Sequence, residues 1–149
     1  MNEVLAMRHA GLVVNDMEAC LRFYVETLGL KYAEPVWEHG VFLETALDAP
    51  GVRVRTAKLG MKEGTVLLEL LQFQSPYEDR RNTVRSFCRQ GLTHVAFTVK
   101  GISRLKERIE QAGGSSLSAP VPTADGKALL LFCRDPEGNL LELVEVLEP

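Results

Sequence analysis

The run Leu140-Leu141-Glu142-Leu143-Val144 decides the fold, because it repeats an earlier run, Leu67-Leu68-Glu69-Leu70-Leu71, almost residue for residue. His9 stands 60 residues before the first of these glutamates, and His94 stands 48 residues before the second. Each histidine opens a short apolar stretch. A carboxylate among aliphatic residues is costly to bury unless its charge is compensated. The repeated arrangement therefore predicts two equivalent half-sites built from one duplicated unit.

The residue types in these half-sites predict a metal site. Two imidazoles and two carboxylates that converge on one point can bind a divalent cation, and the two carboxylates offset its charge. We expect the ligands to be His9, Glu69, His94 and Glu142. Such a set leaves one or two positions for water or substrate if the ion is five- or six-coordinate. Zinc, nickel, cobalt, manganese and iron all tolerate these donors, so the pattern leaves the ion open.

The rest of the chain has the order expected of a duplication. Residues 7–14 predict a strand, and a helix follows from an Asn15-Asp16 cap to Gly29. Residues 41–73 predict strands, of which the first is VFLETAL (41–47). The order then restarts with a strand over 92–99, a helix that stops at Gly113-Gly114, and strands at about 127–133 and 139–146 joined by a turn at 135–138.

Both halves thus read β-α-β-β-β, although one strand of the second half is less clear. Aligning His9 with His94 pairs Leu12 with Phe97 and sets the two helices in register. We expect an α+β fold and a single domain over 1–149, with module 1 at about 5–74, a connector at about 75–90 and module 2 at about 91–149. Since strand side chains alternate between faces, each ligand should share its face with small or apolar neighbours, as at the floor of a cavity.

Composition excludes several classes of protein. The chain has 149 residues, of which 46% are hydrophobic and 25% charged, and its net charge of −3 does not favour nucleic acid or an anionic membrane. Its apolar stretches are shorter than the roughly 20 residues that span a bilayer. The N-terminus lacks the pattern of a signal peptide, and the three cysteines form no CxxC pair. We therefore expect a cytoplasmic protein with reduced thiols.

Four stretches carry a resemblance to a known superfamily: HAGLVVNDMEACLRFYVETLGL, TVLLELLQF, GLTHVAFTV and FCRDPEGNLLELVE. The chain resembles the vicinal oxygen chelate proteins, which include glyoxalase I, methylmalonyl-CoA epimerase, extradiol dioxygenases and the fosfomycin and bleomycin resistance proteins. The resemblance covers essentially the whole chain. It implies paired βαβββ modules, a U-shaped mixed sheet around a metal, and homodimers with sites near the module interface. The superfamily's ligand positions fall on His9, Glu69, His94 and Glu142.

The resemblance also implies a reaction. The metal chelates neighbouring oxygens of a substrate, so that a carbonyl on the ion loses its α-proton more easily. A nearby carboxylate then removes that proton. Glu142 is our first candidate for this base and Glu69 the second. The expected function is a glyoxalase I-like lyase or isomerase acting on a small substrate with adjacent oxygens, including a glutathione or CoA thioester.

Three alternatives stay open. An epimerase acting on an acyl-CoA is the first, because the 25 residues from Glu69 to His94 match that group better than glyoxalase I. A dioxygenase is disfavoured by Glu69, since those enzymes use two histidines and one carboxylate. A protein that only sequesters a small molecule is disfavoured by the presence of all four ligand residues.

Other residues have weaker claims to a role. Arg53 and Arg55 alternate with valines, which is typical of a solvated strand face and also permits a clamp on a substrate carboxylate or phosphate. Glu44 is a reserve carboxylate without a counterpart in the second half. His39 precedes Gly40 in a turn-like, exposed segment, and Cys133 is expected to be a small buried residue. The arginines that could bind a CoA or glutathione tail, although a solvated connector is favoured, are Arg80, Arg81, Arg85 and Arg89.

Overall fold

A computed structural model describes residues 3–61, 66–78, 86–88 and 90–147, and the chain forms two compact units, Met1–Arg80 and Arg81–Pro149. Each unit is a five-stranded mixed sheet with helical structure packed against it. The strands of the first unit are β1 (Ala10–Val13), β2 (Lys31–Tyr32), β3 (Val36–His39), β4 (Arg53–Gly60) and β5 (Leu68–Ser75). Its helices are α1 (Met17–Leu21) and α2 (Val41–Leu47). The second unit contains β6 (His94–Thr98), α3 (Ile102–Gln111), β7 (Ser115–Ser116), β8 (Val121–Pro122), β9 (Ala128–Arg134) and β10 (Leu140–Val146).

The two sheets have the same topology. The strand order is β1-β5-β4-β2 in the first and β6-β10-β9-β7 in the second, with β3 added to β4 and β8 added to β9. In both, the first and last strands pair in parallel and the other pairs are antiparallel. The α+β class and the repeated βαβββ order are therefore confirmed. The strand that was unclear in the second half consists of two short pieces, β7 and β8, and the first half divides its outer strand in the same way.

The helix after β1 forms as its sequence predicts. The side chain of Asp16 accepts a hydrogen bond of 2.9 Å from the backbone N–H of Ala19, which caps the helix start. The helix continues beyond α1 as a π-helical segment, Arg22–Thr27, and ends at Gly29, which has a positive φ of 80°. Its buried face carries Cys20 and Tyr24, both 0% exposed. This face packs the helix against one side of the first sheet and leaves the other side to the site residues.

The helix of the second unit is capped from a distant strand. Both carboxylate oxygens of Glu145, on β10, accept hydrogen bonds from backbone N–H groups at the start of α3, those of Gly101 and Ile102. These groups have no partner within the helix, so the contact ties α3 to the sheet. The two hydrogen bonds lower the pKa of Glu145, with a smaller contribution from the charge of Lys100.

The turn before β10 is also fixed by a side chain. Asp135 is 2% exposed, and its Oδ1 accepts hydrogen bonds of 2.9 Å from the backbone N–H groups of Glu137 and Asn139. Its Oδ2 accepts a third from the amide of Asn139. Gly138 has a φ of 83°, which suits glycine at the tight part of this turn. The predicted turn at 135–138 thus sets where β10, and with it Glu142, begins.

The prediction of a strand at VFLETAL is wrong. Residues Val41–Leu47 form α2, and none of its residues is buried. The backbone N–H of Glu44 donates to the carbonyl of Gly40, and the hydroxyl of Thr45 donates to the carbonyl of Val41. Leucine, glutamate and alanine favour a helix when no strand lies alongside to pair with them, and β4 pairs instead with β3.

The remaining predictions concern the segment around His39, the connector, the cysteines and membrane-spanning segments. Strand β3 was not predicted, and His39 is its last residue, exposed as expected. Half of the predicted connector, residues 79–85 and 89, lies outside the described part of the chain. Cys20 and Cys133 are buried, Cys88 is exposed, and none of the three forms a disulfide. None of the described helices is long and apolar enough to cross a membrane.

The Glu145 contact predicts a pH-dependent effect on stability. Because its folded-state pKa is lowered, the charged carboxylate stabilises the fold at neutral pH, and this contribution is lost as pH falls below roughly 4.3, the ordinary pKa of glutamate. Glu145→Gln should lower the urea midpoint at pH 7, and the difference from the parent should shrink on acidification. Glu107→Gln, at an exposed position of α3, is the control. It should change neither the urea midpoint at pH 7 nor the way in which the midpoint depends on pH. A constant difference between pH 7 and pH 3 would contradict the account.

Candidate metal centre

The first pair of predicted ligands lies at the start of β1 and in β5. His9 directly precedes β1, and Gly11, two residues later, is the register partner of Glu69 on the parallel strand β5. Residues two apart on a strand share a face, so the imidazole and the carboxylate lie on the same side of the sheet. The Nε2 atom of His9 is 3.1 Å from Oε2 of Glu69.

The second pair is built in the same way. His94 is the first residue of β6, and Ala96, two residues later, is the register partner of Glu142 on the parallel strand β10. The Nε2 atom of His94 is 3.0 Å from Oε2 of Glu142. The duplicated unit therefore places a histidine and a glutamate in contact twice, through the same strand pairing. In both cases a small residue, Gly11 or Ala96, stands directly beside the glutamate.

All four side chains remain partly accessible. The carboxylate side chains of Glu69 and Glu142 are 15% and 21% exposed, and those of His9 and His94 are 27% and 34% exposed. Such groups are shielded enough to be ordered by their neighbours, yet an ion or a small molecule can reach them.

His94 is oriented by a neighbouring hydroxyl. Its Nδ1 lies 2.7 Å from Oγ1 of Thr93, and the ring meets that of Phe132 edge to face at 5.4 Å between centroids. In the neutral imidazole, Nε2 must carry the proton to donate to Glu142, so Nδ1 accepts from Thr93. If Nε2 bound a metal, the proton would move to Nδ1, and the same hydroxyl would accept it, since a threonine hydroxyl both donates and accepts.

The two glutamates differ in what lies opposite them on the next strand. The register partner of Glu69 on β4 is Lys58, whose Nζ is 3.9 Å from Oε1 of Glu69. The register partner of Glu142 on β9 is Phe132. Both oxygens of Glu69 thus have a polar neighbour. Within the described residues, Oε1 of Glu142 has none.

The geometry of each pair fits two adjacent positions around a metal ion. Ligand atoms about 2.1 Å from an ion and at right angles to each other are separated by about 3.0 Å, whereas a tetrahedral angle would require about 3.4 Å. The observed separations of 3.1 and 3.0 Å are those of hydrogen-bonded pairs, and they are close enough to the first value that both atoms could become ligands of one ion with little movement. Over the described ranges of the chain, no group of three or more His, Cys, Asp or Glu side chains could hold an ion, so each unit on its own supplies two donors.

The weaker sequence candidates lie away from these pairs. Arg55 forms an ion pair of 2.6 Å with Glu18 of α1, and the Arg53 guanidinium stacks 4.8 Å from the ring centre of Trp37. Glu44 belongs to α2, outside both sheets. The four connector arginines, Arg80, Arg81, Arg85 and Arg89, lie outside the described residues.

Cys133 is an unreactive part of the second core. It is 0% exposed, and burial, together with the charge of Asp135, raises the pKa of its thiol to about 12. A protonated, buried thiol behaves as a small apolar group, as the sequence predicted.

Sequence reasoning missed Lys58, Thr93 and the role of Gly11. Lys58 could be found only by knowing that β4 pairs with β5 in this register, which no local pattern gives. Thr93 precedes a predicted ligand, and a hydroxyl next to a histidine is a usable signal. A Cβ at Gly11 would lie 3.1 Å from Cδ1 of Leu71, so glycine also eases packing on the site face.

The protein thus consists of two repeated βαβββ units, each with a His–Glu pair on its sheet. Comparison with known proteins identifies the class to which such a protein belongs. The model of the Glyoxalase/Bleomycin resistance protein/Dioxygenase superfamily matches residues 6–143. The chain belongs to this superfamily.

Several curated relatives bear one name. A lactoylglutathione lyase from Salmonella typhimurium is 26% identical over 144 residues, which cover 95% of this chain and 93% of that protein. A probable chloroplastic lactoylglutathione lyase from Arabidopsis thaliana is 26% identical over 146 residues, 97% of this chain and 37% of that protein. The lactoylglutathione lyase of Schizosaccharomyces pombe is 28% identical and is covered over 46% of its length. The chain thus spans less than half the length of the plant and fission-yeast relatives.

Solved structures share the fold. A glyoxalase family protein from Bacillus cereus has a TM-score of 0.88 and 24% identity, with 99% of this chain and 97% of that chain covered. A glyoxalase I mutant from Zea mays has a TM-score of 0.62 and 23% identity, with 93% and 43% covered. At these identities the likeness establishes the architecture.

The contacts of the two histidines predict their tautomers. In metal-free protein at a pH where the rings are neutral, His9 and His94 should carry the proton on Nε2, because that atom faces a carboxylate oxygen in each pair. Long-range nitrogen–proton NMR correlations measure this directly. His39, exposed at the end of β3, is the internal control and should show the mixed tautomers of a solvated ring. Protonated Nδ1 in His94 would contradict the geometry.

Proposed function

We propose that the protein is a divalent-metal-dependent lyase of the glyoxalase I type. It would convert the hemithioacetal of a 2-oxoaldehyde and a thiol such as glutathione into a 2-hydroxyacyl thioester. The observation that carries this proposal is the pair of His–Glu contacts at equivalent places in the duplicated unit. Curated relatives named lactoylglutathione lyase support it.

His9, Glu69, His94 and Glu142 would together bind one ion, either zinc, nickel, cobalt, manganese or iron. The donor set suits such an ion, because two neutral imidazoles and two carboxylates neutralise a charge of 2+. When bound, the ion would stabilise negative charge on substrate oxygens. We further propose a cytoplasmic homodimer: the superfamily resemblance favours the dimer, and three cysteines that form no disulfide favour the cytoplasm.

Glu142 is the proposed base. Its Oε1 has no polar contact among the described residues, so the carboxylate can turn toward the substrate without breaking a second contact. Glu69 is held on both oxygens, by His9 and Lys58, which suits a ligand that stays in place. Glu142 would remove the proton from the carbon that bears sulfur and return it to the neighbouring carbonyl carbon, while the hydroxyl proton of the first carbon passes to the oxygen of the second. The first carbon is oxidised and the second reduced, so no external oxidant is needed.

Glu142→Gln tests this role. The amide keeps the size of the side chain and an oxygen for the metal but cannot accept the proton, so kcat should fall by about 100-fold or more while the metal content is retained. The readouts are thioester formation and solvent deuterium at the product carbon. Glu107→Gln, at an exposed position of α3, should keep full activity. Unchanged kcat in Glu142→Gln would contradict catalysis by this residue, whereas ligand binding without turnover in both the parent and the variant would favour a protein that only binds its ligand.

Assays with different substrates separate the possible reaction classes. An acyl-CoA epimerase is the second candidate, favoured by the 25 residues between Glu69 and His94. Turnover of methylmalonyl-CoA, without turnover of the methylglyoxal–glutathione hemithioacetal, would select it. Oxygen uptake that depends on iron(II) would select a dioxygenase instead.

A further inference from the structure

A second polar feature lies on the face of the first sheet that carries His9 and Glu69. Lys58 is the register partner of Glu69, and Thr56, two residues earlier on β4, shares its face. Glu38, on the neighbouring strand β3, belongs to the same face, since Oγ1 of Thr56 donates a hydrogen bond of 2.8 Å to its Oε1. Thr56 and Glu38 together are called the Glu38 dyad below.

The dyad presents an uncompensated carboxylate. Thr56 is 3% exposed, and Glu38 is only partly accessible. Among the described residues, Glu38 forms no ion pair, and its Oε2 has no hydrogen-bond donor. A partly buried carboxylate without a counterion is less well solvated than an exposed one, so a positively charged ligand group would stabilise it. The buried hydroxyl fixes one oxygen and leaves the other to accept from a visiting group.

The dyad is close enough to the first half-site to touch a small substrate. Lys58 lies directly opposite Glu69, and Thr56 is two residues farther along β4. Two residues along a strand span about 7 Å and neighbouring strands lie about 4.8 Å apart, so the backbones of Thr56 and Glu69 are about 8.5 Å apart. A molecule whose reacting oxygens sit at Glu69 would reach Glu38 through a tail of several bonds that runs along this face.

The duplicated unit shows that the fold does not require a hydroxyl at the position of Thr56. In the second sheet, Phe132 stands opposite Glu142, as Lys58 stands opposite Glu69. Two residues earlier, Leu130 takes the position of Thr56, and its partner on β8 is Val121, just as the partner of Thr56 on β3 is Val36. The second unit thus builds this position without a hydroxyl, so the shared architecture does not require the side chain that holds Glu38 in place.

We infer that Glu38, held by Thr56, is a specificity-determining contact that selects substrates with a positively charged, hydrogen-bonding group on the thiol-derived tail. An ammonium would donate to Oε2 and offset the charge, whereas a carboxylate at that place would be repelled. This inference rests on the proposed function, which supplies the position of the reacting oxygens.

The test uses hemithioacetals of methylglyoxal with three small thiols that share a two-carbon spacer. These are 2-(dimethylamino)ethanethiol, 2-mercaptoethanol and 3-mercaptopropionate, whose tails are cationic, neutral and anionic. The glutathione adduct is the reference for activity. The parent protein, loaded with metal, should give the highest kcat/KM for the cationic substrate, a lower value for the neutral one and the lowest for the anionic one. Binding of the three S-lactoyl thioester products, measured by calorimetry, gives a readout that needs no turnover.

Glu38→Gln keeps an oxygen for Thr56 and removes the charge. It should lower kcat/KM for the cationic substrate about tenfold, through KM, and raise that for the anionic substrate, while the neutral substrate changes little. Thr56→Val should shift the preference in the same direction by a smaller factor, about threefold, because the carboxylate stays but loses its anchor. Glu34→Gln is the matched control, since Glu34 is an exposed carboxylate near the start of β3 that accepts from the Tyr32 hydroxyl. It should leave the preference unchanged.

The outcomes separate the two proposals. If no hemithioacetal is turned over, the glyoxalase function fails, and the thioester affinities still decide the role of Glu38. If turnover occurs but Glu38→Gln changes all three substrates equally, the residue is structural and the inference is overturned. Turnover and binding that are indifferent to tail charge in the parent protein would overturn it as well.

Discussion

The parallel pairing of the first and last strands in each unit is the constraint on which the rest depends. It fixes Gly11 opposite Glu69 and Ala96 opposite Glu142. Each glutamate thereby lies within about 3 Å of the histidine of its own unit, which is two residues before the glycine or alanine in the sequence. A shift of the register by one residue would turn every side chain of the strand to the other face. The helices enforce the register, because their buried residues pack on the opposite side of the sheet.

Duplication explains the similarity of the half-sites, and their differences suggest a division of work. Glu69 has Lys58 opposite it and the Glu38 dyad farther along the same face of the sheet, whereas Glu142 has Phe132 opposite it and an oxygen without a polar contact among the described residues. The polar neighbours of Glu69 suit the binding of an ion and of a charged substrate tail. The apolar neighbour of Glu142, together with the uncontacted oxygen of Glu142 itself, suits proton transfer. Under the proposed function, the first unit would then decide which substrate is accepted, and the second would act on it.

Much of this architecture could be predicted from the sequence, because the signals are local. The alternation of LLELV and the helical spacing of Met17, Cys20 and Tyr24 each report one element, and the recurrence of both patterns reports the duplication. The two histidines could be recognised as equivalent residues only because the same His–Glu pattern occurs in both halves of the chain. Superfamily membership, α+β class and repeated order are all confirmed.

The failures have a common physical origin in tertiary context. VFLETAL is compatible with a strand or a helix, and the absence of a strand to pair with, rather than its own propensity, decides for α2. Lys58, Thr56 and Glu38 acquire meaning from the pairing of β3, β4 and β5, across separations of up to 31 residues between Glu38 and Glu69. Such register information is not contained in any single stretch of the chain.

The most direct test of the central claim is the metal stoichiometry of the protein and of variants that each lose one donor. Protein stripped with a chelator is titrated with cobalt(II), whose visible absorption reports coordination, and the bound metal is counted by elemental analysis. The account predicts one ion per chain, and a loss of affinity of roughly a hundredfold or more in each of His9→Ala, Glu69→Ala, His94→Ala and Glu142→Ala. Binding that survives removal of either whole His–Glu pair, or two independent ions per chain, would contradict a single centre shared by the four residues.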